Sequence, residues 1–172
     1  MKKRMLIICL LFMMCGCKKE EKEFIVDKIS SKDNLVFEYA DKIRLYDLID
    51  TEEKIISDND YIDTYKLGNN EINIDYINSK NKKKKYKVTY KIVDTTKPII
   101  LLSSSVTAYK GNDIDLVNKA ICADNYDKKP NCYIEGDYDI NKVGKYNLKY
   151  IAIDSNDNKN EKDFVLDVKV KK

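Results

Sequence analysis

The feature that most constrains this chain is a period-two alternation of apolar and polar residues that occurs in two copies. In KYKVTYKIVD, Tyr86, Val88, Tyr90 and Ile92 share one side, opposite Lys87, Thr89 and Lys91. In KDFVLDVKV, Phe164, Leu166, Val168 and Val170 share one side, opposite Asp163, Asp167 and Lys169, with Val165 out of pattern. Successive side chains point to opposite faces of a strand, so these segments predict half-buried β-strands. GKYNLKYIAID is apolar on both sides, with Tyr146, Leu148 and Tyr150 on one and Ile151 and Ile153 on the other, which suits a central strand. Helical patterning is confined to two short turns, LYDLIDTEE from Leu45 and DLVNKAIC from Asp115.

The copies extend beyond single strands. YIDTYKLGNNEINIDYI from Tyr61 matches YDINKVGKYNLKYIAI from Tyr138, setting Leu67-Gly68 over Val143-Gly144 at an offset of 76. Each copy then runs through a polar turn, SKNKKKK or SNDNKNEK, into its alternating strand. A glycine, a long strand, a polar tip and a returning strand describe a β-hairpin closing a small all-β unit. The expected units span residues 24–94 and 95–172, joined near Asp94-Thr95-Thr96-Lys97-Pro98, where Pro98 stiffens the junction.

The N-terminus has a different character. MKKR precedes the apolar run MLIICLLFMMCG, which is far short of the 20 or so residues needed to span a bilayer. A cationic start and a short apolar run fit a secretory signal. Met14-Cys15-Gly16-Cys17 resembles the bacterial lipobox, with Cys15 where Ala or Ser is commoner. The resemblance implies a signal peptide over residues 1–16, cleavage after Gly16 and a diacylglyceryl group on Cys17, with fatty acyl chains of the palmitate kind. Residues 17–23 are then the lipidated cysteine and a charged spacer. Two acyl chains anchor durably because each buried CH₂ contributes about 0.8 kcal/mol. The expected location is the extracytoplasmic face of the bacterial cell membrane, with the bilayer itself as partner through Cys17.

Charge argues against a nucleic-acid partner. The net +3 rests on Lys2, Lys3 and Arg4; without them 29 bases face 29 acids. The one basic cluster, KNKKKKYK from Lys80, lies between two strand-like segments and reads as a solvated hairpin tip.

The stretch from Asp94 to Val170 resembles the bacterial immunoglobulin-like module first named from a pesticidal crystal protein. DTTKPIIL, YKGNDIDL, ADNYDKKPN and GDYDINKVGKYNLKYIAIDSNDN carry the likeness in order. Lys128-Lys129 stand where the acidic turn usually has a Gly, and Asp157 stands where a Gly usually precedes Asn158. The first unit matches through YADKIRLYDLI and YIDTYKLGNNEINIDYI and is a degenerate copy. The resemblance implies two tandem immunoglobulin-like β-sandwiches acting as a spacer, adhesin or auxiliary binding module, with no shared catalytic residues.

Cys122 and Cys132 are the cysteines left after the expected processing and lipidation of Cys17. In an exported protein this spacing favours a disulfide, against two buried thiols or a redox pair, which normally has C-x-x-C spacing. Asp154, Asn156 and Asn158 mimic the start of an EF-hand loop, but Lys159 and Val165 replace its Gly and bidentate Glu. Asp124, Asn125 and Asp127 would add hard oxygen ligands beside Asp154 if the fold joined those loops; polar turns are the reading adopted, with no metal or cofactor expected. The chain has no His, which removes Ser-His-Asp and Cys-His catalysis. No enzyme activity is expected; the competing reading is a carboxylate-dependent cell-wall glycosidase, or an accessory subunit of a cell-wall enzyme. Tyr61, Tyr65, Tyr126, Tyr133 and Tyr138 fall near turns. Of these Tyr126, Tyr133 and Tyr138 are the candidates for contact with a surface protein or cell-wall glycan.

Overall fold

The computed structural model describes residues 26–171. The expected signal peptide, the expected lipidation site Cys17 and the charged stretch after it lie outside these residues. In chain order the first unit contains β1 (Ile29–Ser31), β2 (Val36–Glu38), a 3-10 turn (Leu45–Asp47), β3 (Ile49–Thr51), β4 (Lys54–Ile55), β5 (Gly68–Ile77) and β6 (Lys83–Val93). The second contains β7 (Ile99–Leu101), β8 (Ser105–Tyr109), a 3-10 turn (Val117–Lys119), β9 (Ile121–Ala123), β10 (Asn131–Glu135), β11 (Gly144–Ile153) and β12 (Lys159–Lys169). The two short helical patterns in the sequence are these single 3-10 turns, each followed by a three-residue strand.

Each unit pairs a four-stranded sheet with a two-stranded one. The orders are β2-β6-β5-β4 with β1-β3, and β10-β11-β12-β8 with β7-β9. All ladders are antiparallel except β2 with β6 and β8 with β12, which run parallel. Early in each unit the chain therefore contributes one strand to the small sheet, then crosses to lie beside the last strand of the large sheet. That is an immunoglobulin-like β-sandwich, and the chain holds two of them.

The repeat is a repeat of structure. Gly68↔Ile92 through Ile77↔Lys83 in the first hairpin become Gly144↔Val168 through Ile153↔Lys159 in the second. Every bound moves by the same 76 positions. At the tips, the Asn78 side-chain oxygen accepts from the Lys80 and Lys82 amides at 3.1 and 3.0 Å. Asp154 Oδ1 accepts from the Asn156 and Asn158 amides at 2.9 and 2.8 Å. Both tips turn through a left-handed residue, Asn81 at φ 56° and Asp157 at φ 66°. Asn and Asp tolerate that region better than other non-glycine residues, so Asp157 does the work of the expected glycine.

The alternation delivers one side of each hairpin to a core. Ile74, Val88, Tyr90 and Ile92 of the first hairpin pack with Leu45, Leu48, Ile49 and Ile62. Leu148, Tyr150, Ala152, Phe164, Leu166 and Val168 of the second pack with Ile100, Leu102, Ala108 and Leu116. Ile151, on the opposite side of β11, is also fully buried, in keeping with a central strand. Gly136 follows β10 at φ 114°, a conformation that strains any other residue, and a Cβ there would sit 2.9 Å from Leu148 Cδ2, which would have to give way.

Cys122 on β9 and Cys132 on β10 are joined by a disulfide that links the small sheet to the large one. A unit this small buries only about 60% of its unfolded surface, so a cross-link matters. Replacing both cysteines with Ala is expected to cost about 2–3 kcal/mol in denaturant unfolding. Leu166→Ala, which opens a cavity at a fully buried site, is expected to cost about 2–5 kcal/mol in the same measurement.

Candidate functional site

The tyrosines singled out from sequence do not form one patch. Tyr126 packs edge-on against Tyr39 of the first unit at 4.9 Å, and Tyr39 meets Tyr65 at 5.6 Å. Tyr133 lies on edge strand β10 opposite buried Ile151. Tyr138 sits at the other end of the second unit, just before the loop that Tyr146 pins, its one hydroxyl hydrogen shared between the Asp139 and Lys142 carbonyls at 3.0 and 2.9 Å. The length of β11 separates that loop from the junction, about 30 Å at strand rise.

The densest polar chemistry lies where the units meet. Glu38, ending β2, accepts from the Thr95 amide and hydroxyl at 2.7 and 2.8 Å and from the Thr96 amide and hydroxyl at 3.1 and 2.9 Å. Burial alone would raise this carboxyl, but the four donors bring it below the usual range. The connecting segment is thus clamped to the first unit. From the second unit, Asn156 donates to Asp94 Oδ2 at 2.8 Å and Asn158 donates to the Asp94 carbonyl at 3.1 Å. Asp127 accepts from the amide and hydroxyl of Ser155, tying the 124–130 loop to the 154–158 turn.

Three carboxylates converge inside this junction. One oxygen each from Asp94, Asp124 and Asp154 lies within 4.8 Å of the others. Asp94 and Asp154 are only 7% and 6% exposed. Several of their oxygens also accept local donors: Asp124 Oδ2 accepts from the Tyr126 and Asp127 amides at 2.9 Å each, and Asp154 accepts at both oxygens, Oδ1 from the Asn156 and Asn158 amides and Oδ2 from Asn158 Nδ2 at 2.8 Å. Oδ1 of Asp94 and Oδ1 of Asp124 are buried with no hydrogen-bond partner. Burial, with the neighbouring Asp124 and Asp154 carboxylates adding to it against the Asn156 amide, pushes the Asp94 carboxyl up.

The first unit solves the same problem differently. Its leading carboxylate, Asp27, accepts from Lys84 Nζ at 2.7 Å, Tyr76 Oη at 2.8 Å and Asn78 Nδ2 at 3.0 Å. Lys28 pairs with Glu52 beside it. By the 76-residue offset, Asn78 corresponds to Asp154 and Lys84 to Asn160. Where the first unit has an amide and an ammonium, the second has a third acid and an amide. Asn160 donates instead to the Pro98 carbonyl at 2.7 Å. The sequence set Asp124 beside Asp154 only on the condition that the fold joined their loops, and no motif in it pointed to Asp94. Setting the two copies side by side, with a lysine lost and an acid gained, was the available signal.

The open grooves offer less. One of about 510 Å³ lies between Glu135, Lys149, Asp163 and Phe164, where Lys149 is the cross-strand neighbour of both acids.

Neither a protein-family model nor a curated protein matches the chain. Among solved structures, the fibronectin(III)-like modules of Clostridium thermocellum CbhA are similar. They are 15% identical at a TM-score of 0.35, over 83% of this chain and 94% of that one.

The contacts of Asp27 make a pH prediction. Lys84, then Tyr76 and Asn78, hold its carboxyl at about 2, below the ordinary 3.8. Its contribution to stability is therefore complete above about pH 4 and lost as pH falls through about 2. Asp27→Asn is expected to be less stable than the parent at pH 7, with the difference closing across that window in denaturant unfolding.

Proposed function

We propose that the chain is a lipid-anchored lipoprotein on the extracytoplasmic face of a bacterial membrane. Its two immunoglobulin-like modules, of the pesticidal-crystal-protein type, act as a non-catalytic spacer that contacts a surface protein or cell-wall glycan. The observation that carries the reading is the direction of the chain through the first unit. The chain begins that unit at Asp27, bonded to Lys84 beside the hairpin tip, and leaves it at Asp94, after the full 11 residues of β6. The two ends are thus about 35 Å apart at strand rise. A module that takes the chain in at one end and passes it on at the other lengthens a tether, which is what an anchored spacer requires.

Two further features support it. The step from Cys17 to Asp27 spans at most about 35 Å, so an anchor on Cys17 would hold the lysine-rich tip close to the headgroups. Lys80, Lys82 and Lys83 at that tip are exposed. At the outer end of the second unit, Tyr109, Tyr138 and Val143 are exposed as well, offering aromatic and apolar contact surface.

The glycosidase alternative calls for two carboxylates flanking a cleft that admits a sugar chain. Of the acids that converge here, Asp94 and Asp154 are buried and Asp124 is half-buried, and the open groove separates Glu135 from Asp163 by a lysine strand position. This favours the non-catalytic reading.

The test is fractionation of cells bearing Cys17→Ala. The protein is expected to move from the membrane to the soluble fraction; retention at the parental level would overturn the anchor. Removing residues 95–172 while keeping the anchor is expected to abolish partner recovery in surface cross-linking, and an unchanged partner set would overturn the contact role.

A further inference from the structure

We propose that Asp94, Asp124 and Asp154 form a Ca²⁺ site that bridges the two modules. The spacing fits one ion. Ca²⁺ takes oxygen ligands at about 2.3–2.6 Å, so two oxygens on opposite sides of it stand up to about 5 Å apart. All three carboxylate oxygens fall within 4.8 Å of each other.

The second observation is independent of the clustering. Asp94 is more than nine-tenths buried, and its Oδ1, like Oδ1 of Asp124, has no donor. Buried acceptors on native proteins are nearly always satisfied, and an unsatisfied charged one is costly. None of the three acids takes part in an ion pair among the described residues. The first module shows what is missing. At the corresponding end, an ammonium from Lys84 neutralises Asp27, and Asn78 stands where the second module has Asp154. Substituting Asn160 for that lysine and Asp154 for that asparagine removes a positive charge and adds a negative one. A bound cation restores the balance.

The donor set selects the class of cation. The chain has no His, and Cys122 and Cys132 are held in a disulfide, so the site is oxygen only. That suits a hard cation and not zinc or copper. Ca²⁺ tolerates irregular geometry and mixed carboxylate, carbonyl and water ligation, whereas Mg²⁺ demands a near-ideal octahedron. The backbone also prepares the site: amide donors fix one oxygen of Asp124 and one of Asp154, orienting each carboxylate. Asp94 closes the last strand of the first module, whereas Asp124 and Asp154 sit on loops of the second. The ion therefore sets the angle between the modules as well as neutralising charge.

The experiment uses the full chain in detergent, stripped with EDTA. Calorimetric titration with CaCl₂ is expected to give one site, with a dissociation constant of about 10⁻⁴–10⁻³ M, the range of extracellular Ca²⁺ modules. Ca²⁺ at about ten times that constant or more is expected to raise the melting temperature by at least about 5 °C over EDTA. Asp94→Asn keeps an acceptor for Asn156 but removes one of three mutually repelling charges. It is expected to melt higher than the parent in EDTA and to lose the Ca²⁺ response. Asp124→Asn, whose acceptor for the Tyr126 and Asp127 amides survives, is the second probe and is expected to behave alike. Equal melting of the parent in Ca²⁺ and EDTA would overturn the site. A full Ca²⁺ response in both variants would place the ion elsewhere and overturn it too. An equal response to Mg²⁺ would overturn the assignment to calcium.

Discussion

Everything in this molecule hangs on the long antiparallel hairpin. Ten residue pairs hold one strand against the next in each module, and because side chains alternate, that single register decides which residues become core and which become surface. A slip of one position would send Val88, Tyr90 and Ile92, or Phe164, Leu166 and Val168, into water and bring lysines inward. Register is set at the tip, where one polar side chain gathers two backbone amides and a left-handed residue reverses the chain. In the second module the residue that does this is Asp154, which also faces the junction. The geometry of the turn and the chemistry between the modules are thus coupled through one carboxylate.

The remaining elements elaborate on the hairpin. Its buried side needs a cover, and the short β1-β3 and β7-β9 sheets supply it, with Ile49 and Ile100 on their inward sides. In the second module the cover is bolted on by Cys122–Cys132. In the first, which has no cysteine among its described residues, Asp27 does part of that work by tying the chain start to Tyr76, Asn78 and Lys84. A covalent bond and a charged hydrogen-bond cluster are alternative solutions to holding a small sheet in place, and they respond to different conditions.

The hairpins were legible because alternation over ten residues is a strong local signal, and the offset of 76 set Leu67-Gly68 over Val143-Gly144 at the start of each. The left-handed turn at Asp157 followed from the family resemblance, which expects a Gly at that position, and not from the alternation. The two-stranded sheets were not legible, because three residues such as Ile99–Leu101 are too few to display a period. Proximity to turns said nothing of which end of a strand each turn occupied, and Tyr126, Tyr133 and Tyr138 lie in three different places. Asp94 was hidden for a related reason. It lies 30 residues from Asp124 and 60 from Asp154, and no local pattern reports that a strand end in one module will meet two loops of the next.

The parallel pairing of β2 with β6 and of β8 with β12 has a mechanical consequence. In each module a strand from the beginning and the strand at the end lie side by side and point the same way. Pulling such a module by its two ends slides those strands past each other, so their hydrogen bonds resist together in shear instead of parting one at a time. A chain stretched between a fixed base and a grasped tip would meet that resistance twice in series.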